Sequence, residues 1–76
     1  MTTKTFNVHS PQAEAIYDYL EKGLHKIKFK GGIGIGFKPN TPAQFYIVFH
    51  DNTEQNLAIL RENLNEFKVT QIVEKS

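Results

Sequence analysis

The sequence predicts an α+β fold, with four strands in one antiparallel sheet and two helices on a single face of it. Three observations carry that expectation. Residues 26–38 alternate between Ile27, Phe29, Gly31, Ile33, Ile35 and Phe37 on one side and Lys26, Lys28, Lys30, Gly32, Gly34, Gly36 and Lys38 on the other. A period of two belongs to extended backbone. Residues 44–50 read Gln-Phe-Tyr-Ile-Val-Phe-His and are apolar on both sides, as an interior strand is. Two further stretches carry apolar stripes at helical spacing, and each stripe needs something to bury it.

Taken in order, residues 4–9 set Phe6 and Val8 against Thr5, Asn7 and His9 and predict a half-buried first strand. Ser10 and Pro11 then predict a helix start over residues 11–22. The serine oxygen can accept from an amide of the first turn, and proline gives up a donor that has no partner there. Ala13, Ile16, Tyr17, Leu20 and Leu24 form its stripe, with Gly23 as the expected stop. The alternating stretch 26–38 follows as one long strand, bent or bulged at its glycines. A tight hairpin at Gly31-Gly32 would instead set Lys28 beside Ile35 and mix the two faces.

Residues 38–42, Lys-Pro-Asn-Thr-Pro, read as a turn before the interior strand. Asp51, Asn52 and Thr53 offer capping groups to a second helix over residues 52–66, striped by Leu57, Leu60, Leu64 and Phe67 with Ile59 beside them. Residues 68–75 close the chain as a strand of ambiguous facing, since Val69 and Val73 have one parity and Ile72 the other. A bulge would reconcile them. Strand, helix, strand, strand, helix, strand is the ferredoxin-like order, with strand positions 4-1-3-2 across the sheet. It places 44–50 inside and the lysine-glycine strand at an edge. Phe29, Ile35, Phe45, Ile47 and Leu60 are the expected core, with Tyr46 more exposed.

At 76 residues the chain is one domain, 1–76, near the size where a single core is only marginally sufficient. It has no cysteine, so disulfide frameworks, thiolate zinc sites and thioredoxin-type chemistry are excluded. No apolar run suits a signal peptide or a membrane span, and a soluble cytoplasmic protein without membrane contact is the expectation. The net charge of +1 hides a division. Glu14, Asp18, Glu21, Asp51, Glu54, Glu62 and Glu66 share the helical segments with only Lys22 and Arg61, a local charge of −5. Lys4, Lys26, Lys28, Lys30, Lys38, Lys68 and Lys75 stand elsewhere against Glu74 alone, a local charge of +6.

Gly31, Gly32, Gly34 and Gly36 do not make a phosphate loop, because no helix follows for their amides to open. Glycine within a strand marks a bulge or a close approach, so something flat lying on Gly32, Gly34 and Gly36 is one reading. Lys26, Lys28 and Lys30 on one face either contact phosphates or guard an edge strand against aggregation. His9, His25 and His50 do not converge as zinc ligands must. Ser10 is better used as a cap than as a nucleophile, and Asp51 beside His50 gives no facing pair. Neither a cofactor nor catalysis is expected.

The side away from the helices would carry Thr5, Asn7, His9, Lys28, Tyr46, Val48 and His50. This resembles the way the RNA-recognition motif uses the same architecture, with sheet aromatics stacking on bases. Lys30-Gly31 followed by Ile35 and Phe37 matches scattered positions of that family's signature. Gly32 and Gly34 stand where its aromatics belong, which leaves Tyr46 as the stacker. Heavy-metal-binding domains of this topology need Cys-x-x-Cys where the chain has Val8-His9-Ser10-Pro11, and acylphosphatases need an arginine there. Regulatory amino-acid-binding domains pair their sheets into dimers. The expected function is a non-catalytic binding module that meets an anionic partner, single-stranded nucleic acid or an acidic protein, through Lys26, Lys28, Lys30, Gly32, Gly34, Gly36, Lys38 and Tyr46. The alternative is a homodimeric interaction domain that buries the open sheet face.

Overall fold

Six elements form in the expected order: β1 (Lys4–His9), α1 (Ala13–Gly23), β2 (Ile33–Phe37), β3 (Gln44–Phe49), α2 (Thr53–Asn63) and β4 (Gln71–Glu74). The computed structural model describes residues 3–37, 40 and 43–75, so Lys38 and most of the expected turn after it lie outside the described residues. The strands make one sheet in the order β2-β3-β1-β4, which reads 4-1-3-2 from the other edge. Every pairing is antiparallel. The two-sided apolar strand β3 is interior, as its composition requires.

Register decides which side chains meet. Phe6 lies opposite Ile47 and Val8 opposite Phe45, while Ile35 faces Ile47 and Phe37 faces Phe45 from the other flank. These residues share one side of the sheet with Phe49. Ala13, Ile16 and Leu20 of α1 and Leu60 and Leu64 at the end of α2 close over them in a single buried cluster. Burial of each large side chain in it contributes about 1.5–3 kcal/mol. Phe45, Ile47 and Leu60 are fully inside; Phe29 and Ile35 are half-buried against the same cluster.

The long strand expected over 26–38 is shorter by its whole lysine half. Residues 24–26 still turn after α1, with the Lys26 and Ile27 amides both donating to the Gly23 carbonyl. Residues 27–31 then form an irregular connector outside the ladder, bent at Ile27, Lys30 and Gly31, with the Phe29 amide donating to the Ile27 carbonyl. Its alternation is real, because Ile27 and Phe29 pack on the core while Lys26, Lys28 and Lys30 are exposed. It leaves the sheet because β3 ends at Phe49 and no described strand continues opposite it, and Asn56 of α2 takes over its backbone groups. The Asn56 side chain accepts from the Lys30 amide at 2.7 Å and donates to the Lys30 carbonyl at 2.8 Å, taking the groups a ladder would need. Gly31 follows at φ +76°, a left-handed turn that redirects the chain into β2.

The connector after α2 is held in a related way. The Lys68 amide donates to Gln12 Oε1 at 2.7 Å, and the Ser10 hydroxyl donates to the Lys68 carbonyl. Ser10 also accepts from the Gln12 amide at 2.9 Å, but α1 starts at Ala13 with Gln12 at its N-cap and no side-chain cap bond. Ser10 therefore closes the entry turn instead of capping the helix, and it ties down a segment 58 residues away. Val69 packs on the core from this connector, and Ile72 pairs with Val8 on the core side of β4. The parity conflict therefore ends where the ladder begins, without a bulge. Gly23 is not the expected left-handed stop: it is the last residue of α1 and does not have positive φ.

Candidate functional site

The side of the sheet away from the helices is the candidate site. The same register that sends Phe6, Val8, Phe45 and Ile47 inward sends Thr5, Asn7 and His9 of β1, Gln44, Tyr46 and Val48 of β3, and Gly34 and Gly36 of β2 outward. Gln71 and Val73 of β4 join them through their pairing with His9 and Asn7. Lys75 extends this face, its amide donating to the Thr5 carbonyl at 2.8 Å. Thr5, Asn7, Gln44, Tyr46, Val48 and Lys75 line a shallow depression of about 260 Å³. No described element covers it, and Val73 remains 36% exposed.

Gly36 of β2 is a close-approach position and Gly32 before the strand is a tight one, whereas the expected approach at Gly34 is absent; the groups that approach come from this chain. A methyl group at Gly36 would collide with Cζ and Oη of Tyr46, so the tyrosine tip lies across the bare backbone of Gly36. At Gly34 it would stand 3.8 Å from Val48 Cβ, and at Gly32 3.0 Å from Cδ2 of His50. Gly36 and Gly32 thus let Tyr46 and His50 lean over the edge strand, while Gly34 meets Val48 at ordinary contact distance. Tyr46 uses part of its ring on Gly36 and is half-buried. The remainder is accessible from the open side.

The expected lysine row is dispersed. Lys26 lies by the end of α1, in a groove with Tyr19, Lys22, Ile27 and Asn63. Lys30 is pinned through its backbone to α2. Lys28 stands between them on the connector. None of the three is on the ladder with Gly34 and Gly36. They enter at the end of the sheet from which β2 starts, and the register puts Thr5, Val48 and Lys75 at that same end. His50 lies there too, donating its amide to Gly32 with its Nδ1 3.5 Å from Thr3 Oγ1.

Charge divides between the faces. Among the described residues the open face carries no carboxylate. Glu14, Asp18, Glu21, Glu54, Glu62 and Glu66 belong to the helical layer, and Glu74 of the edge strand β4 pairs with Lys4 of the interior strand β1 at 3.3 Å on the core-side parity. Asp51 accepts from the Asn52 amide at 2.9 Å and serves the turn into α2. On α1, a hydrogen bond with the Glu21 carboxylate pushes the Tyr17 hydroxyl above its ordinary pKa, with desolvation adding to the effect.

Two residues escaped the sequence reading. Asn56 is buried at 0% exposure and fixes the connector; its only signal in the sequence is its place one turn before Leu60, on the side of α2 that the stripe buries. Lys75 supplies the cation of the open face, visible in sequence only as the end of an ambiguous strand. No group of three metal-ligating side chains converges among the described residues. No helix among them is long and apolar enough to cross a membrane. No family model, curated protein or solved structure matches the chain.

Proposed function

We propose that the protein is a non-catalytic binding module of ferredoxin-like architecture whose open sheet face receives an anionic macromolecule, with single-stranded nucleic acid as the favoured partner. The observation that carries this reading is the carboxylate-free open face, set against a helical layer that holds most of the acids. Such a field repels an anion from the helix side and orients it toward the sheet. A base can stack on the free part of Tyr46, and Asn7 and Gln44 offer donors and acceptors beside it. Lys75 at one end of the face, with Lys28 and Lys30 entering near that end, supplies charge for phosphates. The lysines act here as a basic end to the face; Gly36 acts by letting Tyr46 lie low.

The test is titration of labelled single-stranded oligonucleotides at low and moderate salt. The reading requires binding whose log-log salt slope is about −0.7 for each phosphate contact. It also requires that Tyr46→Ala weaken binding by about 1–3 kcal/mol. No binding at low salt would remove nucleic acid and leave an acidic protein surface as the partner for the same face.

A further inference from the structure

The outer edge of β2 differs from the other edge of the sheet. β4 carries Glu74 within a strand of only four residues, the usual protection of an exposed edge. β2 reads Ile33-Gly34-Ile35-Gly36-Phe37, with neither a charge nor a proline. Its side chains are only half-buried, and among the described residues no strand pairs with its outer side.

The inner ladder fixes which backbone groups face outward. The His50 amide donates to the Gly32 carbonyl, which makes Gly32–His50 a hydrogen-bonded pair. Hydrogen-bonded pairs alternate along an antiparallel ladder, so Gly34 and Gly36 also bond inward to β3. The amides and carbonyls of Ile33, Ile35 and Phe37 therefore point outward. These three residues are spaced symmetrically about Ile35.

From this symmetry we infer that two copies of the chain pair antiparallel through β2, joining their sheets edge to edge about a two-fold axis at Ile35. Ile33 lies opposite the partner's Phe37 and Ile35 opposite the partner's Ile35. Each of these pairs can exchange two backbone hydrogen bonds, because all the residues involved have outward-facing groups. The same register keeps Ile33, Ile35 and Phe37 on the helix side in both copies. Gly34 meets the partner's Gly36 on the open side without a side chain between them. A slip by one residue would break both matches at once.

Charge complements the register. α1 runs antiparallel to β2, and Glu14 and Asp18 share a groove with Phe37. Lys28 and Lys30 precede Ile33 at the opposite end of the strand. Antiparallel pairing brings the Phe37 end of one copy to the Ile33 end of the other, so Glu14 and Asp18 approach Lys28 and Lys30 on both sides of the axis, outnumbering the opposing charges of Lys38, next after Phe37 in sequence, and Asp51, beside Gly31. The pairing leaves the open faces free and sets them side by side. It can therefore fail or hold independently of the binding reading above.

The test uses the full chain without any nucleic acid: sedimentation equilibrium across micromolar to millimolar concentration, followed by amide hydrogen exchange. The expected result is a monomer–dimer equilibrium in which the Ile33, Ile35 and Phe37 amides exchange slower by about tenfold or more in the dimer. Lys28→Glu with Lys30→Glu, or Glu14→Lys with Asp18→Lys, should each weaken association by about tenfold or more, and mixing the two variants should restore it as a heterodimer. A monomer throughout the range overturns the inference. So does a dimer in which those three amides exchange as fast as in the monomer, or charge variants that do not rescue one another.

Discussion

Replacing Asn56 should damage this fold more than its position on a short surface helix suggests. Its side chain accepts from the Lys30 amide at 2.7 Å and donates to the carbonyls of Lys30 at 2.8 Å and Asp51 at 2.9 Å. Each such bond contributes about 1 kcal/mol net, and a buried partner left unmade costs about 1–3 kcal/mol. Lys30 lies at the surface, where water can replace part of what is lost. Asn56→Ala should therefore cost about 2–4 kcal/mol, against a total of about 4–11 kcal/mol for a chain of this length. The corresponding fall in Tm is about 10–30 °C. Asn56→Asp should be no better at neutral pH, because the carboxylate can accept from Lys30 but presents negative charge to two carbonyls. Burial raises the folded-state pKa of the introduced acid, so its penalty should shrink as pH falls and the group protonates. Urea unfolding followed by far-UV circular dichroism measures both, with Gln55→Ala at the exposed neighbouring position as the control. A loss at Asn56 as small as that control's would refute the claim that the side chain holds the connector.

Gly31→Ala should cost about 1–2 kcal/mol because of its positive φ, whereas Gly23→Ala should stabilise by about 0.5–1 kcal/mol, since Gly23 is helical with open space beside it; thermal unfolding of the pair measures the contrast. Phe45→Ala should lose about 3–5 kcal/mol and Tyr46→Ala much less, and equal losses in denaturant titration would contradict the sheet facing. Glu21→Gln should move Tyr17 ionisation to lower pH by removing the carboxylate that opposes it, as ultraviolet titration would record.

Periodicity made most of this architecture legible. The two-sided apolar run 44–50 required an interior strand, and the helix stripes required a shared core. The alternation of 26–38 correctly sorted Ile27 and Phe29 from Lys26, Lys28 and Lys30, yet alternation reports facing and not ladder pairing. The ladder ends where β3 gives way to α2, and the chain there is held by Asn56, 26 residues from Lys30, and turned at the positive φ of Gly31. Ser10 shows the same limit, because local spacing revealed its role in the entry turn but not its bond to Lys68. At the candidate site, the sequence located Tyr46 and the close-approach glycines. It did not reveal that the flat group on Gly36 is Tyr46 itself, since cross-strand register is a tertiary property.

Chemical-shift mapping with a single-stranded oligonucleotide at low salt tests the open face most directly. The account predicts perturbations at Asn7, Gln44, Tyr46, Val48 and Lys75, with the α1 and α2 amides around Glu14, Asp18 and Glu62 left in place. Perturbations confined to the helical layer, or none at tens of micromolar, would contradict the assignment of the sheet face as the nucleic-acid surface.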